Sequence, residues 1–241
     1  MNTNSPGVLP SKAGDTLTLL PHEGDELSTL YRNRFASQAD YRRRIWRILV
    51  DDLFAQWIHP HHSVLDLGSG HGEFINSVLA ASKWAMDLNP DAVKVLSPDI
   101  HFLQQNCAEK WPIPKNSLDI IFTSNFFEHL PTKALLRSTL EESLRALRPG
   151  GRLIAMGPNI RFLPGAYWDF WDHYLPLTER SLAEAGILCG FEPDYVNSTT
   201  LPYSMSQGFS PPTWCLKLYL RCPFLWKFLG KQFIVVLRKP Q

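Results

Sequence analysis

Short apolar runs alternate with segments of helical apolar spacing from about residue 60 to the end of the chain. The run Leu118–Ser124 is apolar enough to form a central parallel strand that is buried on both faces. The other predicted strands are Ser63–Leu67, Lys83–Leu88, Ile100–Gln105, Arg152–Met156, Phe191–Val196 and Phe233–Leu237. Because strands alternate with helices, the pattern predicts an α/β fold with a doubly wound parallel sheet and right-handed crossovers.

Helical segments are predicted before the first strand and between the later ones. The first helix runs from Asp25 to Trp57, where apolar residues recur at helical spacing, and Pro60 ends it. The remaining helices are predicted from about Glu73 to Ala81, as a short helix that begins at Pro90, after a Thr132 cap, and from a Thr178 cap to Gly190.

A length of 241 residues suits one sizeable domain. We expect a flexible tail over 1–21 and a single domain over 22–241, made of a helical extension (22–60), a cofactor-binding half (63–156) and an acceptor-side half (157–241). The tail has no apolar core of a signal peptide or membrane anchor, and no apolar run approaches the roughly 18 residues of a membrane span. A cytoplasmic location is therefore expected.

Charge and cysteine content narrow the function further. The net charge of +1, from 24 basic and 23 acidic residues, lacks the strongly basic balance typical of nucleic-acid binding. The four cysteines form no CxxC pair and suit neither a zinc site nor a disulfide framework, so reduced thiols and no metal site are expected.

A glycine-rich turn follows the first predicted strand, where main-chain amides would face a ligand at the carboxyl edge of the sheet. Its glycines, Gly68, Gly70 and Gly72, follow a GxGxG spacing and not the GxGxxG of dinucleotide-binding proteins. Without side chains, they allow a ligand to approach the main chain closely. Asp87 lies at the end of the second strand, where a carboxylate can accept hydrogen bonds from both hydroxyls of a ribose.

Several motifs in order carry a resemblance to a known family: DLGSGHG (66–72), MDLNP (86–90), NCAEKWPIP (106–114) and SLDIIFTSNFFEHL (117–130) followed by LRPGG (147–151). From about Ser63 onward, the chain resembles the class I S-adenosylmethionine-dependent methyltransferases. The resemblance implies a Rossmann-like, seven-stranded sheet whose last strand is antiparallel, with S-adenosylmethionine as cofactor.

The resemblance also implies how the cofactor is held. The residues placed at its methionine end are Gly68, Ser69, Gly70 and Asn125, while Asp87 would hold the ribose, with Leu88 against adenine and Cys107 and Ala108 at the adenine rim. Asp66 either contacts the cofactor or fixes the turn by accepting main-chain amides. Relatives often carry an aspartate where this chain has Cys107. Since a thiol is a poor acceptor, adenine recognition would rest on the Ala108 main chain and apolar packing.

Most candidate residues for the acceptor side of the predicted site lie in the aromatic loop that follows the fifth strand, at 157–177. His173 is the candidate general base, because histidine titrates near neutrality, with Asp172 or Asp169 to orient it. His129 is a weaker candidate. In the alternative interpretation these polar groups bond the loop's own main chain and the aromatics pack the core. Methyl transfer also does not require a base, since alignment with the nucleophile supplies much of the acceleration.

A second aromatic segment, 212–230, mixes leucines with basic residues. This composition suits an interfacial helix that makes a peripheral membrane contact, or an apolar acceptor pocket. A core-packing helix or an oligomer contact explains it equally well.

The predicted function is methyl transfer from S-adenosylmethionine to a small molecule, or to a glycolipid or saccharide, at oxygen. Methylation of a protein or another macromolecule and a non-catalytic cofactor-binding module remain alternatives. Nucleic acid is disfavoured by the balanced charge and by Ser124-Asn125-Phe126-Phe127, which differs from the Asn-Pro-Pro-Tyr type of amino-methylating DNA enzymes. The glycine spacing also disfavours a nucleotide-dependent oxidoreductase.

Overall fold

The computed structural model of the protein describes residues 39–203 and 211–241. Its strands form one seven-stranded sheet in the order β3-β2-β1-β4-β5-β7-β6. Their bounds are β1 Ser63–Leu67, β2 Ser82–Asp87, β3 Ile100–Gln104, β4 Leu118–Ser124, β5 Leu147–Pro158, β6 Glu192–Leu201 and β7 Gln232–Arg238. Strand β7 is antiparallel to both neighbours, and the pairs among β1 to β5 are parallel. The predicted doubly wound sheet with an antiparallel last strand is confirmed.

The helices cover both faces of this sheet. They are α1 Ala39–Asp52, α2 Glu73–Ser77, α3 Lys133–Ala146, α4 Glu179–Leu188, α5 Thr213–Leu220 and α6 Pro223–Leu229. On one face, residues of α1, α2, α5 and α6 share an apolar cluster with β1 and β4, and on the other α3 and α4 do so. Within the described ranges, no helix is long and apolar enough to cross a membrane.

Element ends differ from the predictions where packing overrides local pattern. Helix α2 stops at Ser77, short of the predicted Ala81, because Val78 turns to an extended conformation and is buried in the core. Strand β5 begins before the predicted Arg152, because Leu147 already pairs with Leu118 across a register shift. The predicted Thr132 and Thr178 caps are both present.

The N-terminal predictions are covered only in part. The tail over 1–21 and the beginning of the helix predicted from Asp25 lie outside the described residues. The later part of that helix is α1, and a short 3-10 turn at Phe54–Gln56 follows it.

Candidate functional site

The glycine turn between β1 and α2 takes a main-chain path that favours glycine. Gly68, Gly70 and Gly72 all have positive φ angles, of 73°, 50° and 67°. The N–H groups of Gly68 and Ser69 donate to the Met86 carbonyl at 2.9 and 3.1 Å, which fixes the turn against the end of β2. A Cβ atom added at Gly70 would meet nothing within 4 Å, so the main chain there borders open space.

The packing below the turn explains why it is held in place. The Phe74 ring of α2 stacks on Phe122 of β4 with their centroids 3.6 Å apart, and this contact seats α2 on the sheet. Above the turn, a Cβ on Gly68 would collide with the Phe126 ring. Phe126 was not among the predicted site residues. Its aromatic side chain directly after Asn125 at the end of β4 was the available signal.

Asp87 connects the turn to β2. Its carboxylate accepts the N–H of Gly70 at 2.7 Å and the N–H of Asn89 at 2.8 Å. Burial raises the pKa of Asp87, and these main-chain donors offset only part of that effect. Leu88, the next residue, is half exposed at the same edge of the sheet, where an apolar ligand surface would cover it.

Asp66 is buried at the end of β1 and acts on the protein's own main chain. Burial raises its pKa well above the usual range, and the charges of Asp87 and Glu73 add to the increase. A hydrogen bond from the Ile75 N–H opposes this increase. Of the two roles considered for Asp66, acceptance of a main-chain amide at the start of α2 is the one that its contacts carry.

Two buried polar atoms near the turn have no hydrogen-bond partner among the described residues, namely Ser69 Oγ and Asn125 Oδ1. Asn125 has a φ of 48°, unusual for a residue other than glycine, and its amide donates to Ser124 Oγ at 3.2 Å. Buried polar atoms are normally hydrogen-bonded, so both atoms indicate room for a polar ligand. The amino acid end of S-adenosylmethionine has donors and acceptors of this kind, and the site fits it.

In the segment predicted to border adenine, the polar groups contact the protein itself. The thiol of Cys107 is buried against α3, where Thr139 Oγ1 lies 3.3 Å from the sulfur, and burial raises its pKa to about 11. The N–H of Ala108 donates to the side chain of Asn106 at 3.0 Å. Because both groups are engaged inside the protein, Cys107 and Ala108 offer mainly apolar surface to a ligand.

The predicted acceptor loop folds around a histidine cluster. Nδ1 of His173 lies 2.6 Å from the Tyr167 carbonyl, and the rings of His173 and His129 are 4.8 Å apart. Asp172 is buried and contacts His129, whose Nδ1 is 2.8 Å from the Asp172 carbonyl and 3.4 Å from its carboxylate. The structure thus orients His173 through Tyr167, and it places Asp172 against the other histidine of the cluster.

Electrostatics couple the cluster to a buried glutamate. Burial acts to lower the pKa of His129, but hydrogen bonding to Asp172 and the charges of Glu128 and Asp172 outweigh it and raise the pKa. Burial raises the pKa of Glu128, which accepts the Tyr167 hydroxyl at 2.6 Å. His129 follows Asn125 within one short turn after β4, so the cluster begins at the same sheet edge as the glycine turn.

The comparisons with known proteins agree with this geometry. Residues 65–155 match the model of a methyltransferase domain. The ubiquinone/menaquinone biosynthesis C-methyltransferase of Bartonella tribocorum is 26% identical over 164 residues, which are 59% of this chain and 60% of the relative. The chain therefore spans about three fifths of the length of the curated relatives that head the comparison.

Solved structures share the fold at low sequence identity. A methyltransferase solved in complex with a Haloferax volcanii methyltransferase activator has a TM-score of 0.67 and 16% identity, covering 91% of this chain and 98% of the other. An S-adenosylmethionine-dependent methyltransferase of Archaeoglobus fulgidus has a TM-score of 0.61 and 16% identity, covering 88% and 99%. The comparisons support the resemblance drawn from the motifs: residues 65–155 match a methyltransferase domain, and solved methyltransferases share the fold.

Proposed function

We propose that the protein transfers the methyl group of S-adenosylmethionine to a hydroxyl oxygen of a small molecule, glycolipid or saccharide. The observation that carries this proposal is the shared sheet edge. An open glycine turn with a carboxylate beside it lies at the ends of β1 and β2, and a histidine cluster begins directly after β4. The proposal thereby puts the cofactor site and the acceptor site next to each other, as ligand sites in open α/β sheets commonly are.

In this proposal the cofactor is held mainly by the turn. Gly68, Ser69 and Gly70 line its methionine end, with Asn125 Oδ1 as a further acceptor. Asp87 binds the ribose through the lone pairs that its main-chain donors leave open. The apolar surfaces of Leu88, Cys107 and Ala108 cover adenine, and Asp66 holds the turn.

His173 is the proposed general base. Its Nδ1 lies 2.6 Å from the Tyr167 carbonyl, which orients the ring, and a neutral imidazole can accept the proton of the hydroxyl near neutral pH. The contact between Asp172 and His129 supports the loop that carries His173. The sulfonium of the bound cofactor supplies an already activated methyl group, so the protein's part is to align the oxygen and to accept one proton.

A second candidate is methylation at carbon, which is favoured by the relatives named ubiquinone/menaquinone biosynthesis C-methyltransferases. The two reactions differ in the product, since an oxygen-linked methyl carbon resonates far from a carbon-linked one in an NMR spectrum. Assays with methyl-¹³C-labelled cofactor against saccharides, glycolipids and hydroquinones would identify the acceptor class and the bonded atom. Label that appears only in protein would favour macromolecule methylation, and no transfer at all would favour a binding module.

The role of His173 is tested with two variants of the same loop. We expect His173→Ala to lower turnover about a hundredfold or more, with cofactor affinity unchanged, because it removes the base and no cofactor contact. Trp171→Ala is the matched control, since that side chain is 88% exposed and outside the cluster. A tenfold loss or less in His173→Ala would assign a positioning role instead. Loss of cofactor binding in His173→Ala would contradict the division of the site.

A further inference from the structure

Helices α5 and α6 pack into the protein on one side and remain apolar on the other. Tyr219, Leu220 and Trp226 are buried in the core. The Tyr219 hydroxyl donates to the Thr200 carbonyl at 2.8 Å, and the Trp226 indole donates to the Tyr219 carbonyl at 3.0 Å. These contacts fix the helices to the rest of the fold. Core packing therefore explains the apolar residues on the inner side of the helices, but not those on the outer side.

The outer side carries large apolar residues that are mostly exposed. Trp214 and Leu218 are 64% and 56% exposed and lie one turn apart on α5, while Phe224 and Phe228 are 68% and 69% exposed and lie one turn apart on α6. The two phenylalanine rings are 5.0 Å apart. Several large exposed apolar side chains on two neighbouring helices mark an interaction site more often than single exposed ones do.

The charges around this surface indicate what covers it. Four basic residues lie within 211–231, all exposed, and the segment contains no acidic residue, whereas the whole chain has a net charge of only +1. They are Lys217, Arg221, Lys227 and Lys231. Aromatic and leucine side chains bordered by lysine and arginine suit the boundary between lipid headgroups and acyl chains, and the positive charge attracts anionic lipids.

We propose that the outer side of α5 and α6, the α5–α6 face, docks on an anionic membrane surface. The aromatic and leucine side chains would enter the headgroup region, and the four basic residues would contact lipid phosphates. The segment joins the carboxyl end of β6 to β7, so docking brings the site edge of the sheet toward the lipid. The binding itself does not depend on the methyl acceptor and is tested without turnover.

The test is cosedimentation of the full chain with vesicles of phosphatidylcholine, pure or with about 30 mol% phosphatidylglycerol. We expect binding to the anionic vesicles, weakened on raising sodium chloride from about 0.1 M to about 0.5 M. The double variant Phe224→Ser/Phe228→Ser should bind at least about tenfold more weakly. The double variant Lys217→Glu/Lys227→Glu should lose the preference for anionic over neutral vesicles.

The control variant is Ile187→Ser/Leu188→Ser on α4, on the opposite side of the sheet. Its side chains are 56% and 68% exposed, comparable to the two phenylalanines, and its binding should match that of the unaltered protein. Equal losses in the control and the phenylalanine variant would overturn the proposal. An absence of vesicle binding would also overturn it. Sedimentation velocity would then show whether the face joins two copies or is covered by another part of this chain.

Discussion

Asp87 offers the sharpest test of the cofactor site, because its surroundings set both its role and the size of the effect. A carboxylate has about four lone-pair positions, of which the N–H groups of Gly70 and Asn89 occupy two, and the Leu88 main chain adds a further hydrogen bond. The remaining capacity suffices for one ribose hydroxyl. A hydrogen bond to a charged group contributes about 1.5–3 kcal/mol, so Asp87→Ala should weaken S-adenosylmethionine binding roughly 10- to 150-fold.

Isothermal titration calorimetry with S-adenosylmethionine and S-adenosylhomocysteine measures this loss directly. Asp87→Asn separates the charge from the shape, since it keeps one oxygen acceptor, and it should fall between the unaltered protein and Asp87→Ala. Asp66→Asn is the matched comparison, because it removes the neighbouring buried carboxylate but keeps an oxygen acceptor for the Ile75 N–H that holds the turn, so the cofactor affinity of this variant should change by less than about threefold. Unchanged affinity in a folded Asp87→Ala variant would refute the ribose assignment.

Two further predictions concern the turn and the cluster. Gly70→Ala should lower cofactor affinity about tenfold in calorimetry, because its methyl group enters the ligand space, whereas Gly165→Ala, also at positive φ with open space around it, should lose only stability. Because the pKa of His129 is raised, its protonated form adds stability that is complete below pH of about 6.5 and lost as the pH rises through the folded pKa. Thermal unfolding should therefore show a gap between His129→Gln and the unaltered protein that narrows with rising pH, and a constant gap would show that titration of His129 does not contribute.

All seven strands were predicted, and their bounds agree best where an apolar run has clear ends, whereas β5 and β6 are longer than predicted. The bounds of β1 and β4 were found as predicted, since a glycine at positive φ follows one and a left-handed Asn125 follows the other. Helix α2 was predicted too long, because nothing local distinguishes a helical Val78 from one needed in the core. For α5 and α6, apolar residues on all sides of two short helices hid which side is buried.

The cofactor half and the acceptor half of the site differ in how well a local sequence motif can predict them. The cofactor half is built from short motifs at strand ends, such as the glycine spacing after β1 and Asp87 at the end of β2, so each part can be recognised as a motif. The acceptor half depends on contacts between distant parts of the chain, such as His129 with Asp172, and no spacing rule relates those positions. The sequence could nominate His173 and Asp172, but only the fold shows that Tyr167 orients the first and that the second contacts His129. The effects of substitutions in the acceptor half should therefore be interpreted from the contacts that each side chain makes in the fold, and not from sequence motifs.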